Sequence, residues 1–138
     1  MKKAGFLVVA AAFAVVACGG RAAALKEYGE AMDNATKKVN EVAQDLKAAK
    51  DGKAVAAGIN KFADAMLEMK QKGDALDKKH NLKMKGDEVP PELKPKLDAF
   101  MAAAKSLGET VMPEALKDHA GDADVQAAIK RMQEVTKD

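Results

Sequence analysis

With 138 residues the chain has room for one domain and not comfortably for two. It is 48% hydrophobic, 32% charged and only 4% aromatic, with no Trp, one Tyr, ten Gly, four Pro and a single Cys, which excludes collagen-like, mucin-like and disulfide-stapled classes. The formal charge is +2, and setting aside Lys2 and Lys3 leaves 21 cations against 21 carboxylates, so no basic footprint points to nucleic acid.

The chain opens on a basic pair, Lys2 and Lys3, followed by the 14-residue uncharged run Ala4 to Ala17 and then Cys18-Gly19-Gly20. A membrane span needs about 20 apolar residues, so this run fits a signal-peptide core better than a retained anchor. Its end, Val15-Val16-Ala17-Cys18, resembles the lipobox of bacterial prolipoproteins: a branched apolar residue, a small or branched residue, a small residue, then Cys. Val16 stands where that family often has Ala or Ser. The resemblance covers residues 1 to 18 and implies that the Cys18 thiol receives a diacylglyceryl group, that the bond before it is cut, and that the new amine is acylated. It also accounts for the chain's one thiol, which would otherwise stand unpaired in an oxidising compartment. Gly19 rather than Asp after the Cys implies, by the same resemblance, the outer membrane. The expected division is a signal peptide over 1–17, a lipidated Cys and tether over 18–24, and a helical domain over 25–138.

Leu25, Tyr28, Met32, Ala35, Val39, Val42, Leu46 and Ala49 recur with alternating gaps of three and four, the spacing of one apolar helix face. Asp51-Gly52 is a turn signal, after which Val55, Ile59, Phe62, Met66, Met69, Gly73, Leu76 and His80 repeat the pattern. Two such helices joined by so short a turn must lie antiparallel. A third stripe follows Pro90-Pro91 through Leu93, Leu97, Phe100, Ala104, Leu107 and Val111, and Pro113 is expected to kink or break it between Gly108 and Met112. Gly121-Asp122 stops that segment and starts a last helix with Val125, Ile129, Met132 and Val135. No stretch alternates like a strand. The expected fold is all-α, an up-down-up-down four-helix bundle. Its many Ala side chains bury little area each, which predicts modest stability or help from self-association.

Chemistry is sparse. Ser106 is the only Ser beyond the signal segment and sits in no nucleophile motif, no phosphate loop is present, and no Glu stands three residues before His80 or His119 as a di-iron bundle would require. His80 is the polar residue on an otherwise apolar seam, with Met84, Met66 and Met69 at helical spacing along the same stripe. Imidazole and thioether together form a soft ligand set suited to copper or, axially, to haem iron. The competing reading makes His80 a helix-end cation favoured by the dipole, and the methionines gap-fillers between small Ala side chains. His119, just before Gly121, takes the same helix-end reading.

In length, Ala/Lys-rich helices and an early Met32, the chain after the signal resembles the periplasmic four-helix b-type cytochromes. That family implies a haem held between that Met and a His of the last helix. Here the last helix has no His, with Met132 and Gln133 in that region, so the resemblance is architectural. The sequence thus predicts no catalytic residue and no bound cofactor. It predicts lipidation at Cys18, a membrane partner through that lipid and a protein partner of unknown identity.

Overall fold

The computed structural model describes residues 20–80 and 89–137, and over these residues the chain is helical with no strand. Helix α1 runs over Gly20–Ala48 and α2 over Gly52–His80, the antiparallel hairpin expected from the short turn. Asp51 makes that turn specific. Its Oδ1 accepts the Ala54 backbone N–H at 2.8 Å and its carbonyl accepts the Val55 N–H at 3.1 Å, so it caps the first turn of α2. Helix α3 spans Lys94–Ser106, a π-helical turn Leu107–Val111 follows, and α4 (Met112–Leu116) completes the third rod. The last helix, α5, is Ala123–Val135.

The third rod does not stop at Pro113. Proline has no N–H to donate, and its ring would strike the carbonyl four residues back in an α-helix. The chain widens instead: the Met112 N–H bonds to the Leu107 carbonyl, five residues back, and α-helix resumes beyond. The interruption thus falls where the sequence placed it and takes the form of a bulge. One boundary moves. Residues expected to belong to a tether over 18–24 are helical from Gly20, and Ala24 is buried, because its methyl packs with Tyr28 and Leu93.

Direction alternates along the chain, so the fold is the four-helix bundle that the sequence predicts. Neighbourhood does not follow chain order, however. Helix α3 packs along α1 in parallel, since Glu92 lies 3.8 Å from Arg21 and Lys96 pairs with Asp33. Helix α5 packs in parallel along the first half of α2, where Arg131 reaches the Asn60 side chain at 3.2 Å and pairs with Asp64. The hairpin is therefore the centre, flanked by the other two rods.

Two apolar clusters result. The upper one joins Val39, Val42, Leu46, Val55, Ile59, Phe100, Leu107, Val111 and Val125 across every rod. The lower one is smaller, made of Ala24, Tyr28 and Leu93 with Leu25, Met32, Leu76 and Val89 against it. With only 13 residues, α5 covers the upper part of α2 and stops, leaving Met66, Met69 and Leu76 half-buried. Close approach of α1 and α2 is tightest at Gly58, where a Cβ would sit 2.6 Å from Leu46 Cδ2. One on Gly52 would meet the half-exposed Asp122 carboxylate, which would have to turn aside. Among the described residues no helix is long and apolar enough to cross a membrane.

Candidate functional site

The polar side chains that the fold draws together lie at the lower end, where α1 begins and α2 ends. The alternation of Leu25, Tyr28 and Met32 turns the Tyr28 ring inward, and its hydroxyl then needs a partner. It donates to Asp77 of α2, 49 residues away in the chain. On the preceding residue of α1, Glu27 accepts from Lys79 Nζ at 2.6 and 2.8 Å, and its Oε2 lies 3.4 Å from His80 Nε2. The Tyr28 and His80 rings are tilted at 43° with centroids 6.3 Å apart. Four polar side chains from α1 and α2 thus close the bottom of the hairpin around one aromatic ring.

The electrostatics follow from that packing. Burial, then the hydrogen bond to Asp77 and its negative charge, push the Tyr28 phenol well above its ordinary range. The Lys79 hydrogen bond, aided by His80, holds the Glu27 carboxyl below the usual carboxylate range against a smaller opposing effect of burial. The phenol is therefore a fixed donor and the carboxylate a fixed anion at neutral pH. Higher on the outer face of the hairpin, Glu68 is brought down to about 2 by hydrogen bonds from Lys38 and Lys72.

His80 ends α2 with its side chain 12% exposed, beside a carboxylate and a ring. Along an α-helix each residue rises about 1.5 Å, so Met69 and Met66 of the same helix stand roughly 16 and 21 Å above it. They cannot share a metal ion with His80. Met69 packs instead against the upper cluster, and Met66 is half-buried. Met84 and Cys18 lie outside the described residues. No group of three or more His, Cys, Asp or Glu side chains among the described residues is arranged to hold a metal. Met32 packs in the lower cluster and Met132 in the upper, so the two do not face a common pocket. His119 lies at the opposite end, its Nδ1 3.0 Å from Asp122 Oδ2.

Sequence reasoning singled out His80 and placed Tyr28 only as a core residue. The signal for more was present: a lone Tyr on an apolar seam requires a partner for its hydroxyl, and Asp77 stands one turn before His80. What could not be read was that Tyr28 and Asp77 meet. No protein-family model, curated protein or solved structure matches the chain.

Proposed function

We propose that this chain is a non-enzymatic, membrane-tethered lipoprotein of the bacterial cell envelope whose helical bundle serves as an interaction or structural module. The observation that carries the reading is Val15-Val16-Ala17-Cys18 at the end of an uncharged run behind two lysines, with Cys18 the only thiol in the chain. Acyl chains at Cys18 make attachment effectively stable, since each buried CH₂ contributes about 0.8 kcal/mol. A mature chain neutral in net charge and without a catalytic set suits a module that is held in place and contacts other proteins, itself included. Intact-mass analysis tests the anchor: wild type gains diacylglyceryl mass on a chain beginning at Cys18, and Cys18→Ala stays unprocessed. A mature chain cut elsewhere with a free Cys18 overturns the proposal. Affinity capture from native membranes then identifies the partner.

A further inference from the structure

The side of the hairpin that faces away from the core carries two hollows between α1 and α2, of about 270 and 210 Å³. The larger, next to the hairpin turn, is walled by Ala48, Ala49, Ala54, Ala57 and Gly58, with Ala48 and Ala57 exposed. None of these side chains is longer than a methyl group, so a second helix could approach closely there. Its lower end is closed by Asp45 and Lys61, which meet across the groove at 2.5 Å. Lys61 stands about 200° of helix from both Ile59 and Ala63, which are fully buried, so this side is the outer one. The smaller hollow continues down to Glu68, which pairs with Lys38 of α1. The two crossings have opposite senses, with the acid on α1 in the upper one and on α2 in the lower. Between Lys37 and Asp45 of α1 and between Lys61 and Lys72 of α2, the cations of this face are Lys37, Lys38, Lys61 and Lys72. Its carboxylates are Glu41, Asp45, Asp64 and Glu68. Lys70 stands about 200° round α2 from both Glu68 and Lys72 and faces the other way. Four against four leaves no net charge to repel an identical face.

We infer that two copies of this chain pair through that face, about a two-fold axis parallel to the rods. Such an axis lays α1 of one copy over α2 of the other at equal height. Asp45 then meets Lys61 of the second copy and Lys38 meets its Glu68, so each pair within a chain becomes part of a ring of four alternating charges. Ala48 meets the second copy's Ala57, small against small. Glu41 meets Asp64, a like-charged encounter. Asp64 is already held by Arg131 of α5, and the charge of Glu41 acts on Lys61 as well.

The inference rests on the proposed lipidation of Cys18, which fixes the direction of the pair. Two steps of about 3.8 Å separate Cys18 from Gly20, where α1 starts, and the 29 residues of α1 are roughly 44 Å long. A parallel pair brings both starts to one end, where one bilayer takes both anchors. An antiparallel pair would have to lie flat to do so, with no apolar strip to bury, since Leu67 is the single large hydrophobic side chain exposed among the described residues. From residue 38 to 49 the face is roughly 18 Å tall and, two helices wide, about 20 Å across, or about 360 Å² of each copy. A stable dimer in solution buries about 800 Å² of each. The pair therefore forms where anchors confine the copies to one surface.

The test is cross-linking of the lipidated full chain in phosphatidylcholine vesicles. With Cys18 acylated, an introduced Cys is the one free thiol. One population carries Ala48→Cys and another, differently tagged, Ala57→Cys. A short bis-maleimide should join 48 to 57 several-fold more than 48 to 48, or than Glu109→Cys on the third rod to itself. Lys61→Asp in both populations should lower the 48–57 product by about five- to tenfold, because both Asp45–Lys61 crossings between copies become repulsive. Lys61→Asp in one population and Asp45→Lys in the other should restore it, because each crossing again joins opposite charges. Mixing cannot repair a fold, so that restoration reads contact between copies. A 48–57 product no greater than the 48–48 or Glu109→Cys product overturns the inference, as does one indifferent to the charge exchange. Either result with lipidated protein leaves the lipoprotein reading standing, whereas absence of diacylglyceryl mass on Cys18 overturns both.

Discussion

Gly58 and Gly73 stand in the interior of the same helix, and replacing each with Ala separates backbone propensity from packing. Ala is favoured over Gly in a helix interior by about 0.8–1.0 kcal/mol, and nothing lies within 4 Å of a Cβ at Gly73, so Gly73→Ala should stabilise the bundle by that amount. At Gly58 the new methyl would meet Leu46 Cδ2 at 2.6 Å and Cγ at 2.9 Å, inside the 3.5–4.0 Å at which carbon atoms pack best. Because Cγ is the branch point, turning one methyl away does not clear the overlap, and Leu46 is only 2% exposed within the upper cluster. Leu46 must then leave its rotamer or α1 must move from α2, an overpacking cost of about 1–3 kcal/mol. Since propensity cancels between the two variants, Gly58→Ala should be less stable than Gly73→Ala by about 1–3 kcal/mol. Urea unfolding followed by far-UV circular dichroism measures the difference, with unchanged m-values as the check that both variants unfold alike. In a Leu46→Ala background the overlap is gone, and Gly58→Ala should become stabilising. Equal unfolding free energies for the two alanine variants would refute the close α1–α2 approach at this level.

Tyr28 is the sole tyrosine and the chain has no Trp, so its ionisation can be followed by absorbance without interference. Its folded pKa is raised above the unfolded value of about 10, so the stability it contributes is complete below that pH and is lost as pH rises beyond it. Tyr28→Phe should cost about 1–2 kcal/mol at neutral pH and remove that alkaline loss, while a wild-type phenol titrating near 10 would refute the buried hydrogen bond. Leu46→Asp, at a fully covered site, should destabilise by several kcal/mol and clearly more than Phe62→Asp at a half-buried one, and equal melting temperatures would mean the hairpin seam is misplaced. His80→Gln should change stability by about 1 kcal/mol or less and leave Cu(I) titrations unaltered, and micromolar or tighter Cu(I) binding abolished by that substitution would show a site built from His80 with residues other than Met66 and Met69.

The sequence by itself determined the helices and the faces they bury. Tyr28, Ala35, Val39, Val42 and Leu46 are buried as their spacing demands, because a period near 3.6 is a local property that survives whatever packs against it. Asp51 and Pro113 acted locally in the same way, one as a cap and the other as the origin of a bulge. Tertiary structure alone decided the partners. Ala56 and Ala63 are buried without belonging to the predicted stripe, because α5 lies beside α2, while Met66 and Met69 on the stripe stay half-exposed, because α5 is too short to reach them. The contact between Tyr28 and Asp77 depends on the register of α1 against α2, which small residues such as Gly58 set through how closely the backbones approach. Periodicity says which side of a helix is apolar. It carries no information on which helix arrives there or how far along it reaches, since that choice is made by the volumes of all the rods together.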